Sequence, residues 1–221
     1  MCYYQGGKKR VGKQIAEMIL NTSTTKKLYV EPFSGMLGVF RHLENSFDKK
    51  LLADRNPALI QFWRAVKDGW SPPTKCEKKK YEEMKASKDE LTPHSIFCGY
   101  AMSQRGSLFS TFCPKANLKN QRQQVLDLAP LLKNVDFRTG NYWKTSSGVE
   151  GAVIYCDPPY RGTGNKYQIN RIHNKTFDYD KFWNWCLEMA KKNEVYVSEY
   201  ANLPQPGKLI WASGKEKLYK I

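Results

Sequence analysis

Asp157 stands between a run of strand formers and two prolines with a tyrosine, in GAVIYCDPPYRGTG, residues 151–164. Val153, Ile154 and Tyr155 favour extended backbone, whereas Pro158 and Pro159 allow neither helix continuation nor ladder hydrogen bonds, so the strand must stop at Asp157. The strand therefore gives way to a stiff loop tip with one carboxylate, carbonyl oxygens freed from the ladder, and the ring of Tyr160. Such a tip can accept hydrogens from a ligand and stack on a flat one. Two more acids close predicted strands: Glu31, which precedes PFSGMLG, and Asp54, at the end of KLLAD. In open parallel sheets ligands bind beyond the carboxyl ends of the strands. Gly35 lets a ligand approach the backbone, and Asp54 stands one βα unit later, where an acid can accept hydrogen bonds from ribose hydroxyls. That placement points to a nucleoside-containing cofactor. Neither a GxxxxGKS/T pattern nor GxGxxG occurs, which disfavours a nucleoside triphosphate or a dinucleotide.

The elements that must position these groups alternate at both ends of the chain. KQIAEMIL (13–20) reads as a helix, KLYVEPFSG as a strand running into a turn, and LGVFRHLEN as a second helix. KLLADRNPALIQFWRAV repeats the scheme, with Asn56 as N-cap and Pro57 at the first helical position. After a helix across residues 119–133, the strand AVIYC, the amphipathic YDKFWNWCLEMAKK and the strand EVYVSEY restore the alternation. Residues 69–118, with prolines, the run Lys78, Lys79, Lys80 and scattered aromatics, have no regular period and read as an insertion. The expected fold is α/β, a doubly wound sheet interrupted by one segment. Residues 1–68 and 119–221 would form the cofactor-binding domain and 69–118 a small inserted subdomain.

The chain has 221 residues with 41% hydrophobic content, enough for one real core. A formal charge of +15 suits a polyanionic partner, and equally a merely soluble basic protein. No apolar run is long enough to span a bilayer and no secretory pattern comes after Met1, so an intracellular, cytoplasmic protein that does not bind membranes is expected. Cys2, Cys76, Cys98, Cys113, Cys156 and Cys186 lack paired short spacing, and His42, His94 and His173 lack ligand spacing. Neither a structural metal nor a redox pair is implied, and reduced thiols are expected.

Four stretches occur in a telling order: YQGGK (4–8), EPFSGMLGVF (31–40), LLADRN (51–56) and YCDPPY (155–160). In these the chain resembles the DNA adenine methyltransferase family, which uses S-adenosylmethionine. FDYDKFWNWCLEMAKKNEVYVSEYANLP is similar to the C-terminal half of phage and large-virus members. The resemblance implies a Rossmann-like methyltransferase sheet, double-stranded DNA as substrate, S-adenosylhomocysteine as product, and no metal.

It also implies site residues. The catalytic group would be Asp157, Pro158, Pro159 and Tyr160: the Asp157 carboxylate and the Pro158 carbonyl accept the two hydrogens of the adenine amine, and Tyr160 stacks on the ring. The amine is a poor nucleophile because its lone pair is delocalised, and these acceptors aim that pair at the methyl group. Tyr4, Gly6, Gly7 and Lys8 match an N-terminal cofactor motif, although Tyr4 stands where tryptophan is common. Glu31, Pro32, Phe33 and Gly35 match the cofactor loop, Asp54 the ribose-binding acid, and Asp157 the cofactor's methionine end. Asn141 and Tyr142 fall near the cofactor's adenine, with Asn141 where many members carry aspartate. Met36 and Leu37 are bulkier than the small residues common in the loop.

An amine inside a duplex cannot reach a protein pocket, so the base must leave the stack. GYAMSQRGSLFSTFCPKANLKNQRQQ supplies the expected contacts, with Tyr100, Gln104, Arg105 and Lys115 as DNA-binding residues. Two alternatives remain: a non-catalytic DNA-binding protein on the same fold, and a methyltransferase acting on the cytosine N4 amine or on RNA.

Overall fold

The computed structural model describes residues 7–8, 10–43, 45–87, 91–162 and 177–221, with the backbone but not the side chain of Arg105. Tyr4 and Gly6 therefore lie outside the described residues. The helices are α1 (Gly12–Thr22), α2 (Pro57–Lys67), α3 (Lys78–Ala86), α4 (Pro93–Ala101), α5 (Leu118–Leu128), α6 (Tyr142–Thr145) and α7 (Tyr179–Ala190). The strands are β1 (Leu28–Glu31), β2 (Lys49–Asp54), β3 (Val135–Thr139), β4 (Val153–Cys156), β5 (Glu194–Glu199), β6 (Lys208–Ser213) and β7 (Glu216–Lys220).

The strands form one sheet in the order β3-β2-β1-β4-β5-β7-β6. β1 pairs in parallel with β2 and β4, β2 with β3, and β4 with β5, while β7 runs antiparallel to both β5 and β6. Helices cover both faces, so the central strands are apolar on both sides and β4 is buried throughout. Tyr29, Leu52, Val153, Tyr155 and Tyr196 face α1, α2 and α4; Val30, Leu51, Ile154, Val195 and Val197 face α6 and α7. This is the doubly wound α/β fold expected from the alternation. Chain order runs outward from β1 through β2 to β3, then from β4 to β5 on the other side. The crevice where it reverses lies between β1 and β4, at the strands' carboxyl ends.

Local expectations hold at α2, where the Asn56 side chain accepts from Ala58 N at 3.0 Å and Pro57 opens the helix. β4 ends at Cys156, one residue before Asp157. The expected helix over LGVFRHLEN does not form; residues 37–43 make turns and a single 3-10 turn, Phe40–His42. Leu37 takes φ 58°, a left-handed conformation that no helix interior admits. The segment expected to lack regular structure contains α3 and α4. In α3 only Tyr81 is buried, and α4 is buried from Ser95 to Ala101, so neither shows an amphipathic stripe. Their buried side chains, Tyr81, Ile96, Phe97 and Tyr100, join the same core as α1 and α2.

Candidate active site

The reversal in strand order gathers three acids. Glu31 closes β1, Asp54 closes β2, and Asp157 comes directly after β4. β7 begins where β5 ends, because it is antiparallel, so Glu216 and Glu199 arrive at the same edge, with Lys217 opposite Glu199. Neither Glu216 nor Glu199 stands out in the sequence.

Lys8 enters from the other side. Its carbonyl accepts from Gly12 N at 2.7 Å, which hangs the residue on the first turn of α1. α1 lies close against the loop after β1: a Cβ on Gly12 would come 2.2 Å from the Gly38 carbonyl oxygen, and one on Gly38 would lie 3.0 Å from Lys8 N. Gly12 admits no side chain without a shift of the backbone, and one at Gly38 would press on Lys8. The Lys8 side chain is buried, and its Nζ lies 2.6 Å from Asp157 Oδ1, 3.7 Å from Glu216 Oε1 and 4.7 Å from the Tyr160 ring centroid. One ammonium thus sits among Asp157, Glu216 and the Tyr160 ring. The Tyr160 hydroxyl donates to Glu216 Oε1, and its ring meets the edge of Tyr200 at 4.4 Å.

Burial controls the charge of these acids. It pushes the Glu31 carboxyl from its ordinary 4.5 up to about 8, against the hydrogen bond from Tyr29 Oη at 2.7 Å; Asp157 repulsion adds and Lys8 subtracts. Burial raises Asp54 to about 6, although Asn56 N donates to Oδ1 at 2.8 Å and Gly35 N to Oδ2 at 2.9 Å. Burial also raises Glu216, opposed by Lys8 and by the Tyr160 hydroxyl. Glu199 is a loop clamp: its carboxylate accepts from Tyr200 N at 2.7 Å and Arg161 N at 3.2 Å, holding the chain after Tyr160.

The loop after β1 is built around Asp54. Ser34 N donates to the Ala53 carbonyl at 2.9 Å, Gly35 carries φ 47°, and Trp63 Nε1 donates to the Gly35 carbonyl at 2.9 Å. The backbone N–H groups of Asn56, Gly35 and Arg55 hold the Asp54 carboxylate, and two oxygens with about four acceptor sites leave room for a hydroxyl. The Ser34 hydroxyl is buried without a hydrogen-bond partner among the described residues. The acids at neighbouring strand ends and the Ser34 hydroxyl offer hydrogen-bond partners that a ligand bearing ribose hydroxyls could use. Pro32 is buried and Gly7 exposed at the two margins of this region.

The other expected residues divide. Asn141 lies just past β3, where Gly140 N donates to the Asp54 carbonyl at 3.0 Å, so it flanks the Asp54 end of the crevice. Tyr142 is buried in an aromatic cluster, 5.5 Å from Phe33 and 5.3 Å from Phe182 between ring centroids. Tyr100 is also buried, its hydroxyl accepting from Asn56 Nδ2 at 3.3 Å, which joins α4 to the Asp54 loop rather than to open surface. Gln104 and Lys115 are exposed, Gln104 in a 3-10 turn shared with Arg105 and Gly106. A shallow hollow is lined by Pro158, Arg161, Tyr179, Trp183 and Glu199, and takes in none of Lys8, Glu31 or Asp54. Among the described residues no group of His, Cys, Asp or Glu side chains could hold a metal ion, and no helix is long and apolar enough to cross a membrane.

The sequence matches the family described as D12 class N6 adenine-specific DNA methyltransferase over residues 4–93 and 73–205. It is 27% identical over 176 residues to the DNA adenine methylase of Escherichia coli strain K12, and equally to that of Escherichia coli O157:H7. Each match takes in 69% of this chain and 63% of the relative, so the chain spans less than two thirds of those relatives' length. A solved Escherichia coli chain, yhhF, provisionally named as a methyltransferase, superposes over 94% of this chain and 85% of its own at TM-score 0.41 and 12% identity.

Proposed function

The chain belongs to the D12 class N6 adenine-specific DNA methyltransferases, and on that premise we propose that it methylates the exocyclic N6 amine of adenine in double-stranded DNA. The observation that carries the reading is Asp157, held on a proline-stiffened tip at the switch point of the sheet, with Glu31 and Asp54 at the neighbouring strand ends. S-Adenosylmethionine, when bound, supplies an electrophilic methyl group on a sulfonium.

Asp54 accepts ribose hydroxyls with its remaining lone pairs, Gly35 admits the ligand to the backbone, and Glu31 faces the cationic methionine end. Asn141 and Tyr142 border the adenine of the cofactor, with Pro32, Phe33 and Gly7 completing the walls; an amide at Asn141 still accepts a hydrogen bond from an adenine amine. Asp157 Oδ1 and the Pro158 carbonyl accept the target amine's two hydrogens, so its lone pair is directed outward instead of into the ring. Tyr160 stacks on the extruded base.

Residues 69–118 act as the recognition segment on a catalytic body formed by 1–68 and 119–221. Arg105 and Gln104 read base edges and Lys115 contacts phosphate, while Tyr100 supports the segment from inside. The reaction places the protein inside a cell, with DNA and the cofactor.

The test is nucleoside mass spectrometry of duplex DNA incubated with the protein and S-adenosylmethionine. N6-methyladenine is expected. N4-methylcytosine, or modification of RNA alone, would transfer the reading to those substrates, and cofactor and DNA binding without product would leave a DNA-binding protein.

A further inference from the structure

Lys8 occupies the groups that the reaction needs. Its ammonium is 2.6 Å from Asp157 Oδ1, the oxygen proposed to accept the target amine, and lies 4.7 Å from the centroid of the Tyr160 ring that is to stack on the base. A base amine and a lysine ammonium cannot both donate to one carboxylate oxygen along the same direction. The ammonium also sits over the Tyr160 ring, so a base that stacks there and donates to Oδ1 meets Lys8 in its path, and that approach moves Lys8 off Asp157.

A buried ammonium cannot move into apolar surroundings, because leaving a charge unpaired there costs more than the move gains. It needs another anion within reach. Glu216 Oε1 is 3.7 Å away, so a shift of about 1 Å brings it to a charge-assisted hydrogen bond of ~2.8 Å. Glu31 also interacts with Lys8, but burial holds its carboxyl near 8, which leaves it mostly protonated at neutral pH. Glu216 is delivered by the β6–β7 turn at Gly214, whose φ of 60° suits the reversal, and its carboxylate already accepts from the Tyr160 hydroxyl. The same carboxylate therefore touches both the ring that receives the base and the cation that the base displaces.

We propose that Glu216 is a positioning residue that receives the Lys8 ammonium when the target adenine takes Asp157, and that holds Tyr160 in place for the base. This rests on the methyl-transfer reading. Glu216→Gln keeps the shape and an acceptor for Tyr160 but removes the anion, so Lys8 should stay on Asp157. Single-turnover methyl transfer should then fall about tenfold or more while calorimetric cofactor affinity stays within about twofold, a loss confined to the chemical step. Glu216→Asp, which keeps the charge on a shorter arm, should recover part of the rate. In a Lys8→Met background the Glu216→Gln substitution should have little further effect, because the two residues act on one step.

Wild-type protein is assayed first, on the same duplex. If it makes no methylated base, the catalytic reading itself fails and this inference with it. If wild type is active and Glu216→Gln has the same single-turnover rate, only the Glu216 role is overturned. A Glu216→Gln protein that loses cofactor affinity and rate together, with no rescue by Glu216→Asp, makes Glu216 a structural residue of the hairpin and equally overturns the proposal.

Discussion

Replacing Glu31 with glutamine should stabilise the protein at neutral pH while weakening its hold on S-adenosylmethionine. The carboxyl is 2% exposed at the end of β1 and accepts from Tyr29 Oη at 2.7 Å. Burial lifts it from 4.5 to about 8, the Tyr29 bond opposing. An acid whose pKa rises on folding binds more protons folded than unfolded between the two values. Stability is therefore lost as pH climbs from about 4.5 to about 8 and is level beyond. At about pH 7, roughly 2.5 units above the unfolded value at ~1.4 kcal/mol per unit, the loss is about 3 kcal/mol. Glutamine has no proton to lose and keeps a carbonyl for the Tyr29 hydroxyl. The variant should melt close to wild type near pH 5 and roughly 6–12 °C above it near pH 7, at ~2–4 °C per kcal/mol for a chain of this size. Thermal unfolding followed by circular dichroism in steps from about pH 5 to about pH 8.5 measures the difference. A gap between the two proteins that does not widen with pH would refute the reasoning. Calorimetry on the same samples should show wild-type affinity for the cationic cofactor rising toward pH 8, since the ionised carboxylate is the form a cation favours, and this rise should be absent in Glu31→Gln.

Three further outcomes are expected. Asp157→Ala should lower methyl transfer by roughly a hundredfold or more, while gel-shift affinity for DNA changes by only a few-fold; equal single-turnover rates for variant and wild type would remove Asp157 from the mechanism. Gly12→Ala places a Cβ 2.2 Å from the Gly38 carbonyl oxygen. It should cost about 1–3 kcal/mol in denaturant unfolding and, by moving Lys8, weaken cofactor binding; unchanged stability would show that α1 can retreat freely. Arg105→Ala should relax the preferred site in methylation profiles by about 1–3 kcal/mol of discrimination, whereas Lys115→Ala should weaken all sites alike and flatten the salt dependence of binding, with a retained site preference reassigning Arg105.

Local rules account for much of what the chain itself dictates. Pro158 and Pro159 end β4 whatever surrounds them, because neither proline can donate to a ladder, and Asn56 and Pro57 start α2 through a cap that needs only the next few residues. Those signals place Glu31, Asp54 and Asp157 at strand ends, and a parallel sheet brings those ends to one edge. Tertiary packing decided the rest. LGVFRHLEN reads as helical, yet the close approach of Gly38 to Gly12 and the left-handed Leu37 make it a turn. Tyr100 looks like a surface reader and is buried against Asn56, since an evenly apolar helix shows no face in its sequence. β6 and β7 flank the two-residue turn Gly214-Lys215, of the kind that marks a hairpin, but no local rule says that β7 slips in beside β5. That non-local pairing alone brings Glu216 to Lys8 and Tyr160, more than two hundred residues from Lys8 in the chain. Register and strand order depend on which surfaces bury each other, and that is a property of the assembled sheet.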